Sequence, residues 1–123
     1  MIGGVGIDII EVQRVGEHLQ ADNGFREKVF STREIAYCEA HANRAESYAA
    51  RFAAKEAFLK ALGSGLALTY DLSEIEVLAD ESGKPEIKLS EALQTRIGTL
   101  WKKIHVSLSH LKSTACAIVI LER

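Results

Sequence analysis

The chain has 123 residues, 47% of them apolar and 26% charged, with a formal net charge of −2. That length suits one compact domain over residues 1–123, and the composition excludes a disordered chain or a membrane protein. The near-neutral balance gives no general basic field for nucleic acid or anionic membrane, so an anionic ligand must be held by local cations.

Residues Met1-Ile2-Gly3-Gly4-Val5 lack the basic and long apolar regions of a signal peptide. Ile2 to Ile10 is rich in β-branched residues and reads as a first strand ending near Asp8. Val12 to Gln20 follows with helical spacing, Val12, Val15 and Leu19 sharing one face. Ser31-Thr32-Arg33-Glu34 fits a capping box, which predicts a helix from about Thr32 to His41. The strongest helical signal runs from Ala45 to Leu62, and Gly63 closes it as a left-handed cap. Ile75 to Leu78 and Glu86 to Leu89 alternate around the turn Asp80 to Pro85, a β-hairpin. Ser90 caps a helix predicted to reach Trp101. Ile104 to Ser109 and Ala115 to Leu121 are the last strands, joined at His110 to Thr114. Helices and strands without steady alternation indicate an α+β domain. No stretch approaches the ~18 apolar residues of a spanning helix. Cys38 and Cys116 stand alone and read as free thiols in a reducing compartment, which points to the cytoplasm.

The long helix is apolar around nearly its whole circumference, a pattern of burial, yet Arg51, Lys55, Glu56 and Lys60 interrupt it. Arg51 and Lys55 share one face and Glu56 and Lys60 another. Glu56 and Lys60 are in the favoured order for an intrahelical pair, whereas Arg51 and Lys55 repel and call for an anion nearby. A carboxylate flanked by cations suits a metal–phosphate substrate. Asp8 lies between Ile7 and Ile9 at a strand end, where it either faces water, caps the next helix or joins Glu56 on Mg²⁺. Gly63-Ser64-Gly65 stops the helix and lets backbone N–H groups approach a phosphate. His110 is either a phosphate ligand or a polar hairpin residue, and no Ser/His/acid triad can be identified from order alone.

Together, Gly6-Ile7-Asp8-Ile9-Ile10-Glu11, the run from Arg51 to Gly65, Gly83-Lys84-Pro85 and Ser107-Leu108-Ser109-His110 resemble the holo-acyl-carrier-protein synthase group of the 4′-phosphopantetheinyl transferases. The Trp/Phe-x-x-Lys-Glu-x-x-x-Lys pattern, here Phe52 to Lys60, is the specific part. The resemblance implies a single transferase-like domain with a long buried central helix on a mainly antiparallel sheet. It implies Mg²⁺ on Asp8 and Glu56, with Glu56 and Lys60 as catalytic groups and Lys60 on the pyrophosphate of coenzyme A. Arg51 and His110 are implied to hold the 3′-phosphoadenosine end, with Ser109, Gly63 and Gly65 shaping that site. Arg14, assisted by Arg26, is implied to meet the acidic apo acyl carrier protein, and the compact members of the family are homotrimers with sites at subunit interfaces. Ser64 stands where threonine is common, and Leu111 where some members carry an acid. The base that takes the serine proton is therefore open between Glu56 and a metal-bound water. Two other activities remain compatible with these residues: a Mg²⁺-dependent nucleotide-diphosphate hydrolase, and a non-catalytic trimeric module that binds coenzyme A.

Overall fold

The computed structural model describes residues 1–21, 23–63, 71–97 and 101–123. Strand β1 (Ile2–Glu11) leads into helices α1 (Val12–Gln20), α2 (Phe25–Val29), α3 (Thr32–Glu39) and α4 (Arg44–Leu62). A 3-10 turn at Leu72–Glu74 precedes strands β2 (Ile75–Ala79) and β3 (Pro85–Leu89), helix α5 (Glu91–Ile97), and strands β4 (Lys103–His110) and β5 (Thr114–Glu122). The strands make an antiparallel sheet in the order β1-β5-β4 and a separate antiparallel hairpin of β2 and β3. This is the α+β arrangement expected, with α4 laid across the larger sheet.

Small residues bring α4 close to β1. A side chain on Gly4 or Gly6 would strike the backbone of Ala61 or Ala57. Alternation along β1 places Gly4, Gly6 and Asp8 on one face, so the strand that needs glycine under the helix also turns Asp8 toward it. The other face carries Val5, Ile7 and Ile9, all exposed, and Ile7 pairs in register with Ile118, also exposed.

Helix α4 joins two apolar cores. Its C-terminal half, through Ala53, Ala57 and Phe58, packs with Ile75, Val77, Leu93, Val119 and Leu121. Its N-terminal half, through Tyr48 and Ala49, packs with Val12, Val15, Phe30 and Cys38. The absence of a polar face on this helix is thus satisfied within one chain and does not argue for an oligomer. The uncovered apolar surface lies on β1 instead.

Several bounds shift from their sequence values. The capping box at Ser31 forms in full, its hydroxyl accepting from Glu34 N–H while the Glu34 carboxylate accepts from Ser31 N–H. That helix stops at Glu39, two residues before His41. Gly63 ends α4 at φ 71° as expected. The five-residue α2 and the turn at Leu72 escape periodicity because each is too short to show one. Helix α5 ends its described course at Ile97, and Trp101 lies outside it. Ser64 and Gly65 lie outside the described residues, so the expectation for Gly65 has no structural counterpart here.

Candidate active site

The charges on α4 divide between two sides. Arg51 and Glu56 are five residues apart, which turns them by roughly 140° around the axis. Glu56 and Lys60 look toward β1 and α1, and Arg51 and Lys55 toward α3 and β2.

On the first side Lys60 Nζ donates to Asp8 Oδ1 at 2.9 Å and to the Ile7 carbonyl at 3.0 Å. The intrahelical Glu56–Lys60 pair that the spacing allows does not form; Lys60 turns to the strand carboxylate instead. Glu56 is partly buried beside these groups. Burial raises its carboxyl above the usual range, the Asp8 charge adds to that, and Lys60 opposes it. Two carboxylates that feel each other, with one cation near, form a site short of positive charge. Asp8, Glu56 and Arg14 line one cavity, walled by Phe25 and Phe52. Among the described residues no cluster of three or more His, Cys, Asp or Glu side chains is placed to hold a metal ion. Two hard carboxylates nevertheless fit Mg²⁺, which takes one or two of them and completes its shell with water and phosphate oxygens.

On the second side Lys55 corrects the reading of it as a repelling cation in want of an anionic ligand. It is fully buried and donates to Glu34 Oε1 at 2.7 Å, to the Leu72 carbonyl at 3.0 Å and to the Ile75 carbonyl. Glu34 in turn accepts from Val77 N–H at 3.0 Å. The anion that Lys55 calls for is internal. Arg51 differs: it lies over the Tyr37 ring at 4.0 Å, donates to the Ser47 carbonyl, and keeps a buried Nε without a partner. His110 shares a cavity of about 520 Å³ with Arg51, Tyr37 and His41, and its Nδ1 lies 3.0 Å from Glu46 Oε1. The two residues expected at the nucleotide end are therefore brought together.

Other expected groups are less engaged. Ser109 is exposed on β4, opposite Cys116. Arg14 is exposed on α1, and no carboxylate among the described residues pairs with it. Arg26 is exposed but occupied, at 3.2 Å from Glu27 and 3.5 Å from Glu39. Tyr37 and Glu46 were missed from sequence. Neither carries a local signal, since Tyr37 acts across two helices and Glu46 meets a histidine 64 residues away.

The 4′-phosphopantetheinyl transferase superfamily model matches residues 4–119. The chain belongs to this superfamily. A holo-(acyl-carrier-protein) synthase of Cytophaga hutchinsonii is 46% identical over 100% of this chain and 99% of its own. The holo-(acyl-carrier-protein) synthase structure from Neisseria meningitidis superposes with a TM-score of 0.89 at 29% identity, covering 100% of each chain. The one from Bacillus anthracis, in complex with CoA (3′,5′-ADP), gives 0.81 at 36% identity over 99% of this chain and 97% of that one. Full-length likeness and high superposition scores show that this chain shares the fold of these synthases.

Proposed function

We propose that this chain transfers the 4′-phosphopantetheine of coenzyme A to a serine of apo acyl carrier protein, leaving adenosine 3′,5′-bisphosphate. The observation that carries the reading is that Asp8 and Glu56, from a strand and a helix, line one cavity while Lys60 donates to Asp8. Family membership and full-length likeness to holo-(acyl-carrier-protein) synthases supply the substrate class.

The serine oxygen attacks the pantetheine-side phosphorus of the pyrophosphate as its proton passes to Glu56 or a water, and the bond to the adenosine bisphosphate breaks with its electron pair. Attack on a polyanion is opposed until its charge is offset, and such electrostatic stabilisation is the main catalytic task. Asp8 and Glu56 would hold Mg²⁺, which supplies charge neutralisation on the pyrophosphate oxygens when bound. Lys60, exposed and already turned to the site, offsets charge on the leaving phosphate. Arg51 brings a guanidinium with an unpartnered Nε, and with His110 it holds the phosphorylated nucleotide end. The nucleophile belongs to the carrier protein, so the chain needs none of its own.

Because Arg51 and Glu56 face different sides of α4, a site that uses both ends of coenzyme A is completed between chains. The exposed face of Val5, Ile7, Ile9 and Ile118 is the surface that a second copy covers, giving the trimer. Arg14, at the rim of the Asp8 cavity, is the contact for the acidic carrier protein, with Arg26 as a weaker assistant. Two free cysteines fit a cytoplasmic enzyme.

Mass spectrometry of apo carrier protein after incubation with this chain, coenzyme A and Mg²⁺ tests the reading. The expected result is one phosphopantetheine added at serine. Consumption of coenzyme A without carrier protein would establish a hydrolase instead, and binding without consumption a non-catalytic module.

A further inference from the structure

Glu46 has no part in the reading above, yet it meets one of the residues that does. It stands in the first turn of α4, next to Ser47, whose carbonyl accepts from Arg51. Its side chain is only 14% exposed and its Oε1 lies 3.0 Å from His110 Nδ1. An ionised carboxylate only accepts hydrogen bonds, so the ring nitrogen facing it must carry the proton. His110 itself is half exposed and lines the Arg51 cavity, whereas Glu46 is not among the residues that line it. With Nδ1 engaged, Nε2 is the remaining polar atom of the ring.

We propose that Glu46 is a positioning residue for His110: it fixes the Nδ1–H tautomer and leaves Nε2 to the ligand. This rests on the reading of the Arg51 cavity as the nucleotide end. The neutral ring then offers a bare Nε2, which accepts a hydrogen bond. A phosphate oxygen also only accepts, so Nε2 can donate to it only from a ring with both nitrogens protonated, the form that a carboxylate on Nδ1 balances. Arg51, His41 and Tyr37 are the other charged or titratable groups lining this cavity. Nothing in the chain places a second carboxylate there among the described residues. Buried or half-buried partners of this kind commonly fix the tautomer of a working histidine.

His105 provides an internal reference, because it presents the other nitrogen, Nε2, to Glu122 at 3.1 Å. In nitrogen-15 spectra of the substrate-free protein near neutral pH, neutral His110 should show a protonated Nδ1 and a bare Nε2, and neutral His105 the reverse pattern. Glu46→Ala should remove the His110 bias, while Glu46→Gln, which keeps an acceptor oxygen, should retain most of it. In transfer assays Glu46→Ala should lower kcat/KM for coenzyme A by about tenfold in the native background and have no further effect in His110→Ala. A His110 that carries its proton on Nε2 in the native protein overturns the proposal. So does an equal loss from Glu46→Ala in both backgrounds. The spectra need no substrate, so a native chain that transfers nothing would refute the functional reading and leave the Glu46–His110 assignment to stand or fall by itself.

Discussion

Lys55 and Lys60 sit five residues apart on one helix, and each faces a carboxylate at hydrogen-bonding distance. Their surroundings are opposite. Lys55 and Glu34 are both fully buried, and the ammonium has three acceptors that tie α4 to α3 and to the start of β2. Lys60 is 56% exposed, and its partner Asp8 is partly buried at 17%. The same ion pair therefore does two jobs. In the core, desolvation makes any unpaired charge costly, so Lys55 fixes how the elements meet. At the cavity edge, a pair with its cation in solvent contributes about 0–1 kcal/mol, and Lys60 remains available to a ligand. Burial pulls the Lys55 ammonium below the usual lysine range, with Glu34 opposing that shift.

The contrast breaks most visibly at Lys55. Lys55→Met leaves the Glu34 carboxylate buried with only N–H donors, from Ser31 and Val77, and should cost about 3–5 kcal/mol of stability. Urea unfolding at fixed protomer concentration measures this, since oligomer formation makes apparent stability depend on concentration. Adding Glu34→Gln to Lys55→Met should recover part of the loss, because the uncompensated charge is then gone. A shift below about 1 kcal/mol would mean that the pair is not a structural tie.

At the other lysine's partners the effect should fall on activity. Asp8→Ala and Glu56→Ala should each reduce transfer by about 100-fold or more while unfolding stays close to native. Wild-type activity of Asp8→Ala at ordinary Mg²⁺ would refute the metal assignment. The elevated Glu56 sharpens the test, because a metal ligand must be deprotonated. Its carboxyl protonates at a higher pH than an ordinary glutamate, so Mg²⁺ affinity should fall with decreasing pH and begin to do so above the usual carboxylate range. Lys60→Ala should have a smaller consequence, lowering kcat by about tenfold with KM for coenzyme A nearly unchanged, since its contact strengthens as the leaving group gains charge.

Much of this architecture is legible in the sequence, and its limits are physical. The alanine-rich run, the glycine cap and the alternation of β3 each report a local preference, so α4, its end and the hairpin are found close to their true bounds. Asp8 is different. Its place beside Lys60 depends on Gly4 and Gly6 admitting the helix, a tertiary fact that no local pattern reports. Lys55 misled because spacing shows its neighbour Arg51 but not Glu34, which lies 21 residues away on another helix. Glu46 left no trace for the same reason.

The smallest expected effect lies at the rim, where the comparison extends to a third cation. Arg14 lines the same cavity as Asp8 and Glu56, but no carboxylate among the described residues engages it. Arg26 is offset by Glu27 and Glu39, so its charge is already answered. A chain with net charge −2 cannot attract an acidic partner by its overall field, and a local unpaired cation must supply the attraction. A rim charge acts mainly on the association rate and its salt dependence. Arg14→Ala should therefore raise KM for the carrier protein several-fold, by about 3–10, and leave KM for coenzyme A nearly unchanged. The gap between native and variant should narrow as salt screens the contact, since the Debye length falls to about 3 Å at 1 M. Arg26→Ala should do less than Arg14→Ala because Glu27 and Glu39 already offset the Arg26 charge. Steady-state kinetics with each substrate varied at several salt concentrations reads all of these outcomes. If Arg14→Ala weakened coenzyme A and spared the carrier protein, the cavity would be a nucleotide wall, and the carrier protein would have to dock elsewhere.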